Sequence, residues 1–237
     1  MNHGLFITGT DTSVGKTMVS TALTARWRAA GVDAVPMKPV QTGCAERDGV
    51  LLAPDLEAVL EAARLQPDAT ERTWMAPYLF RPPCSPHLAA QQAGEAIALD
   101  RIVTCFRQLA ARHRVVLVEG AGGVLVPLGK GHTMLDLMLA LQLPVLLVAR
   151  PGLGTINHTL LSLRELRRVG LQTLGVVFNE TAPTCHGPIE TDNPRIIAEL
   201  AAPLRTWRLP FAADGRPAAD ATTLPDFTEL FTTQPPA

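Results

Sequence analysis

Gly4-Leu5-Phe6-Ile7-Thr8-Gly9-Thr10-Asp11-Thr12-Ser13-Val14-Gly15-Lys16-Thr17 is the stretch that decides how this chain of 237 residues folds. Leu5 to Thr8 is a short apolar run with the length of a buried strand, and Lys16 to Ala30 has helical length. The glycine-bearing segment between them is therefore a strand-to-helix turn. Ending in Gly-Lys-Thr, such a turn is a phosphate loop: successive backbone N–H groups curl around a phosphate, and Gly15 lets the chain approach closely. Lys16 then reaches the terminal phosphates and Thr17 offers its hydroxyl to Mg²⁺. The helix start adds a partial positive charge. Gly9 and Gly15 have five residues between them, one more than the usual spacing, with Thr10 at the usual first-glycine position. The dinucleotide fingerprint Gly-x-Gly-x-x-Gly does not occur.

Outward from this loop, further apolar runs bounded by Gly, Pro or polar residues predict strands at Ala34 to Val40, Val115 to Val118, Val145 to Ala149 and Leu174 to Phe178. Helical lengths lie between and after them, at Leu99 to Ala111, Leu135 to Leu141, Thr155 to Val169 and Pro194 to Leu200. Leu160, Leu163, Leu166 and Val169 form one apolar stripe. The alternation predicts an α/β fold: a mostly parallel sheet with right-handed crossovers, helices on both faces, and ligands gathered at the carboxyl ends of the strands. With the phosphate loop, the class is that of the P-loop nucleoside triphosphate hydrolases. Ala45 to Gln92, rich in proline, interrupts the alternation as a long functional excursion. Residues 1–237 are expected to make a single domain, with 212–237 a surface or disordered tail.

Charge balance limits the partners. Lys+Arg 21 against Asp+Glu 22 gives a net charge of -1, so nothing in the composition attracts a nucleic acid or an anionic membrane. The first residues carry no basic run leading into an apolar signal segment, and Met134 to Ala149 is broken by Asp136, Gln142 and Pro144. A cytoplasmic protein is expected. Cys44, Cys84, Cys105 and Cys185 are too scattered for a paired metal or redox spacing and read as reduced thiols.

Other polar residues sit where chemistry would need them. Glu119 ends the run Val115 to Val118 and is followed by Gly120-Ala121-Gly122-Gly123, so its carboxylate emerges beside the phosphate loop, where a second contact to Mg²⁺ is expected. Asp55, behind Pro54 at the head of Leu56 to Ala63, is either a helix N-cap or a further ligand. Lys38 follows apolar strand residues and precedes Pro39-Val40-Gln41-Thr42-Gly43; it is either a solvated lysine or a functional one. Asn179 ends the strand Leu174 to Phe178 with both a carbonyl and an amide. Thr155 and Asn157 open a helix after Arg150-Pro151-Gly152-Leu153-Gly154, where unpaired N–H groups suit a carboxylate, although Thr155 is equally a plain cap.

Taken together, the segments Gly9 to Thr17, Lys38 to Gly43, Ser85-Pro86-His87, Val118 to Gly123 and Gly154-Thr155-Ile156-Asn157-His158 resemble the dethiobiotin synthetase family. They occur in the family's order and cover residues 3 to about 180; the five-residue loop spacing is the family's own. Ser13 stands where many members have Glu, and Thr42 where Ser is frequent. The resemblance implies ATP-dependent carboxylation of 7,8-diaminononanoate by CO₂ and closure of a cyclic urea in biotin biosynthesis. It implies Lys38, Lys16 and Thr12 as the catalytic set, and Thr17, Asp55 and Glu119 as ligands of Mg²⁺. ATP would be held by Ser13, Val14, Gly15, Lys16, Thr17 and Met18, by Asp55, Glu119, Gly120, Ala121 and Gly122, and at the base by Asn179 and Pro210. Thr42, Gly122 and Gly123, with Thr155 and Asn157 supplied by a neighbouring subunit, would hold the diamine in a homodimer. The alternative in another class is a nucleotide switch of the partitioning or septum-placing type. Those ATPases carry an additional lysine early in the loop, which is absent from Thr10 to Thr12 here.

Overall fold

Leu5, Phe6, Ile7, Val115 to Val118 and Val145 to Ala149 are all fully buried, as strands covered on both faces by helices must be. The computed structural model describes residues 4–183, 187–213 and 224–231. In it β1 (Gly4–Gly9), β2 (Ala34–Met37), β3 (Val115–Gly123), β4 (Val145–Ala149), β5 (Thr173–Asn179) and β6 (Thr206–Leu209) form one sheet in the order β6-β5-β4-β1-β3-β2. Every pairing is parallel. The helices are α1 (Lys16–Ala29), α2 (Pro54–Ala62), α3 (Ala69–Met75), α4 (Pro86–Gln92), α5 (Leu99–Arg112), α6 (Met134–Leu141), α7 (Thr155–Arg168) and α8 (Pro188–Leu200). Side chains alternate across the sheet. Phe6, Val116 and Val118 meet Ile102, Leu109 and Met138 on one side, while Leu5, Ile7 and Leu117 meet Val19, Leu23 and Trp27 of α1 on the other. Because β1 lies between β3 and β4, the strand order reverses beside it, and the crevice at the carboxyl ends of these strands holds the site.

The structure departs from the local reading at four places. The run Ala34 to Val40 is broken at Lys38-Pro39: β2 ends at Met37, and Val40–Thr42 pairs in parallel with Tyr78–Phe80 in a separate ribbon. Pro39 has no N–H for a ladder, and the Lys38 N–H turns away to Met75 O at 2.7 Å. The excursion Ala45 to Gln92 is structured, with a hairpin of Ala45–Arg47 and Val50–Leu52 that turns at Asp48-Gly49, both at positive φ, and then α2, α3 and α4. Two of its prolines start helices: Pro54 and Pro86 lie in the first turns of α2 and α4, where a missing N–H costs nothing. The last helix begins at Pro188, with Pro194 inside it. Finally, β6 is a half-buried edge strand whose Thr206-Trp207-Arg208-Leu209 shows no continuous apolar run.

Within the tail, Leu224 and Phe227 are buried against the α1 side of the sheet, and Arg26 donates to Leu224 O at 2.6 Å. Phe227 meets Trp207, and Phe231 meets Trp27, each edge to face with centroids 5.6 Å apart. The rest of the tail after Ala213, and Cys185, lie outside the described residues. Cys44, Cys84 and Cys105 are free thiols. Among the described residues no helix is long and apolar enough to cross a membrane.

Candidate active site

The phosphate loop is shaped by two residues at positive φ, Ser13 at 57° and Gly15 at 98°. Such a backbone turns consecutive N–H groups toward one point, which is a nest for an anion. Glycine is required at position 15 for a second reason. A Cβ there would collide with Nδ2 of Asn179, the side chain that crosses from the end of β5 and donates to Val14 O at 3.2 Å. Asn179 therefore fastens the loop to the sheet. Lys16 folds back over the loop, its Nζ donating to Asp11 O at 2.8 Å. Burial, together with the charge of Lys38, lowers its pKa from 10.5 to about 8.

A charged cluster sits beside the loop. Lys38 Nζ lies 2.7 Å from Asp55 Oδ2 and 2.7 Å from Glu119 Oε1, and donates to Gly120 O at 3.2 Å. Glu119 Oε1 also accepts from Thr17 Oγ1 at 2.9 Å. Lys38 and Glu119 are each 4% exposed, so this pairing takes place out of water. Burial alone would drive Lys38 to shed its proton, but Glu119 and Asp55 together outweigh it and raise the pKa. Asp55 is likewise opposed by burial and held below the usual carboxylate range by Lys38, with hydrogen bonds from Gln41 and Thr17. The cap of α2 is Ala53, so Asp55 belongs to the first helical turn and its carboxylate serves the cluster.

A cavity of about 820 Å³ opens over both groups. Thr12, Ser13, Gly15, Lys16, Thr17 and Met18 line it from the loop; Lys38, Thr42 and Asp55 line a second wall; Glu119, Ala121, Gly122 and Asn179 line the remainder. Val14 is buried behind the loop, and Gly120 contributes its carbonyl to Lys38. Gly123 lies against the backbone of Gly9 and Thr10. Pro210 is exposed at the rim, next to the cavity-lining Phe211. Thr155 stands apart, in a smaller depression of about 230 Å³ with Thr10, Arg150 and His158, and Asn157 is exposed on the first turn of α7. The sequence reading did not single out Gln41, Ser85 or Glu180, which also line the cavity. Gln41 and Ser85 fall inside the quoted segments. Glu180 is buried and held by Arg208 at 2.7 Å from β6, a contact with no local sequence signal.

Thr17, Asp55 and Glu119 offer a hydroxyl and two carboxylates, all hard oxygen donors. Among the described residues no group of three or more His, Cys, Asp or Glu is placed to hold a metal ion. That donor set suits Mg²⁺, which keeps several waters and binds through one or two carboxylates together with substrate phosphates.

Known proteins place the chain more narrowly. A family model described as an AAA domain matches residues 3–207. The ATP-dependent dethiobiotin synthetase BioD of Anaeromyxobacter dehalogenans is 46% identical over 89% of this chain and 88% of its own length. That of Xanthomonas axonopodis pv. citri is 42% identical over 94% and 96%. Among solved structures, the septum site-determining protein MinD of Pyrococcus horikoshii, complexed with Mg-ADP, superposes with a TM-score of 0.58 at 15% identity, covering 98% of this chain and 93% of that one. A ParA family ATPase of Chlorobium tepidum gives 0.53 at 14%, over 90% and 85%. At such identities the two structures speak for the shared P-loop fold alone, whereas the sequence relatives span nearly the whole chain and agree in kind, so the chain belongs to the family of ATP-dependent dethiobiotin synthetases.

Proposed function

We propose that the protein is an ATP- and Mg²⁺-dependent ligase that carboxylates 7,8-diaminononanoate with CO₂ and closes the cyclic urea of dethiobiotin. The observation that carries this is the meeting of two buried lysines, Lys16 and Lys38, with Thr17, Asp55 and Glu119 in one cavity beside a phosphate loop. A neutral amine of the substrate adds through its lone pair to the carbon of CO₂ and loses a proton, giving a carbamate. A carbamate oxygen then takes the γ-phosphoryl group of ATP, and ADP departs. The second amine attacks the activated carbonyl carbon, phosphate leaves, and the ring closes. Two anions must approach one another in the second step, so positioning and charge neutralisation are what the protein has to supply.

Lys16 and Lys38 supply positive charge on the two sides of the transferring group. The loop N–H groups hold the phosphates, while the hydroxyls of Thr12 and Thr42 and the backbone N–H groups of Gly122 and Gly123 orient the carbamate and amines. Mg²⁺ held by Thr17, Asp55 and Glu119 would neutralise charge on the β- and γ-phosphates. Asn179 gives its amide to Val14, leaving its carbonyl to accept from an amino group of adenine, with Pro210 at the edge of the base. Thr155 and Asn157 lie outside the main cavity, which fits a role at the diamine's distant carboxylate in the site of a second copy, in a homodimer. The test is turnover: purified protein with ATP, Mg²⁺ and bicarbonate should release phosphate only when the diamine is present, in equal amount with a product of dethiobiotin's mass. Phosphate release indifferent to the diamine would refute the assignment.

A further inference from the structure

Lys38 is fully engaged where it stands. An ammonium has three N–H donors, and Asp55 Oδ2, Glu119 Oε1 and Gly120 O, at 2.7, 2.7 and 3.2 Å, are three acceptors. No donor is left for a carbamate or a phosphate. The oxygen of Glu119 that meets Lys38 is also the one that meets Thr17 Oγ1. The ammonium thus bridges the two carboxylates, on one oxygen of each. A cation at the roughly 2.1 Å that Mg²⁺ demands from either of those oxygens would stand directly beside the ammonium, and with Lys38 and Glu119 each 4% exposed the two like charges repel strongly.

We propose that the Lys38 ammonium and the divalent cation are alternative occupants of the Asp55–Glu119 carboxylate pair, so that metal entering with nucleotide releases Lys38 toward the reacting groups. The inference rests on Asp55 and Glu119 being metal ligands, as proposed above. Lys38 has the means to move: its side chain is a flexible four-carbon stem, and it lines the same cavity as Thr42 and Gly122. The phosphates of ATP complete the exchange, because they bring the negative charge that a metal ion and a released ammonium together require. Two consequences follow. Divalent metal alone binds weakly, and the lysine is withheld from substrate until the nucleotide is seated.

Binding of Mn²⁺, counted by its electron paramagnetic resonance signal, tests this without any turnover. In the absence of nucleotide, Lys38→Met should bind Mn²⁺ at least roughly tenfold more tightly than the parent protein, since the pair is no longer occupied. Equal affinities would overturn the exchange while leaving the ligand assignment intact. If neither protein bound Mn²⁺ even with a non-hydrolysable ATP analogue, the ligand assignment itself would fall, and the exchange with it. Should Lys38→Met not fold, a chain that keeps Lys38 offers a second reading, because Lys16, Lys38 and Lys130 are the lysines of the sequence. With ¹⁵N at the lysine Nζ, and Lys130→Arg to simplify the spectrum, the signal that stays narrow in metal-free protein belongs to the ammonium held by three acceptors. It should shift and lose its protection from exchange when Mg²⁺ and the analogue are added together, and hardly change with Mg²⁺ alone. A signal unmoved by the pair would overturn the proposal.

Discussion

Replacing Glu119 by glutamine keeps the shape of the side chain and removes its charge, which isolates what the carboxylate does. Its Oε1 accepts a charge-assisted bond from Lys38 at 2.7 Å and a bond from Thr17 Oγ1 at 2.9 Å, in a position 4% exposed. Removing one partner of a buried ion pair costs about 3–5 kcal/mol when the other charge is left stranded. Lys38 would not be stranded here, because Asp55 at 2.7 Å and Gly120 O at 3.2 Å remain. What is lost is the difference between a charged and a neutral acceptor, about 2 kcal/mol. For a domain of this size that lowers Tm by about 4–8 °C. The same substitution removes one of the two carboxylates proposed to hold Mg²⁺, and the Mg²⁺ concentration giving half-maximal activity should rise by about tenfold or more. Thermal unfolding followed by far-ultraviolet circular dichroism and a Mg²⁺ titration of phosphate release measure the two effects on one preparation. A Glu119→Gln protein with the parent Tm and the parent Mg²⁺ requirement would refute both the buried pairing and the ligand assignment.

Lys38→Ala should still bind ATP yet turn over slowly, since one preorganised charge is worth about 2–4 kcal/mol of barrier; near-normal kcat would return Lys38 to the role of a plain lysine. Lys16, lowered from 10.5 to about 8 by burial and by Lys38, binds fewer protons folded than unfolded between those values. Its contribution to stability therefore grows as pH rises from about 8 towards 10.5, while ATP, which favours the ammonium, should bind with proton uptake and lose affinity above about 8. Calorimetric titrations at that pH in buffers of different ionisation enthalpy count the proton, and an uptake of zero would contradict the shift. Asn157→Ala should raise the Michaelis constant for the diamine and leave ATP binding nearly intact. Sedimentation should show a dimer, and a fully active monomer would refute a site shared between copies.

Some of this was legible in the chain itself, for a physical reason that differs from case to case. The phosphate loop is a local object: its anion nest is made by consecutive backbone groups, so Gly9 to Thr17 between an apolar run and a helix-length segment was enough to recognise it. The strands buried on both faces were legible too, since burial writes itself as uninterrupted apolar residues in β1, β3 and β4. Edge strand β6, with one flank in solvent, has no such signature and was missed. The split at Lys38-Pro39 depended on Met75, a partner supplied by α3. Asp55 carried a local signal for capping a helix, and the cap turned out to be Ala53; the carboxylate instead meets Lys38, whose place is set by the end of β2. Lys38 and Glu119 lie 81 residues apart, and Asn179 and Val14 lie 165 apart. No periodicity encodes such meetings. They exist because parallel strands from distant parts of the chain end together at one edge of the sheet, where Lys38 and Glu119, each almost wholly buried, answer chiefly to one another.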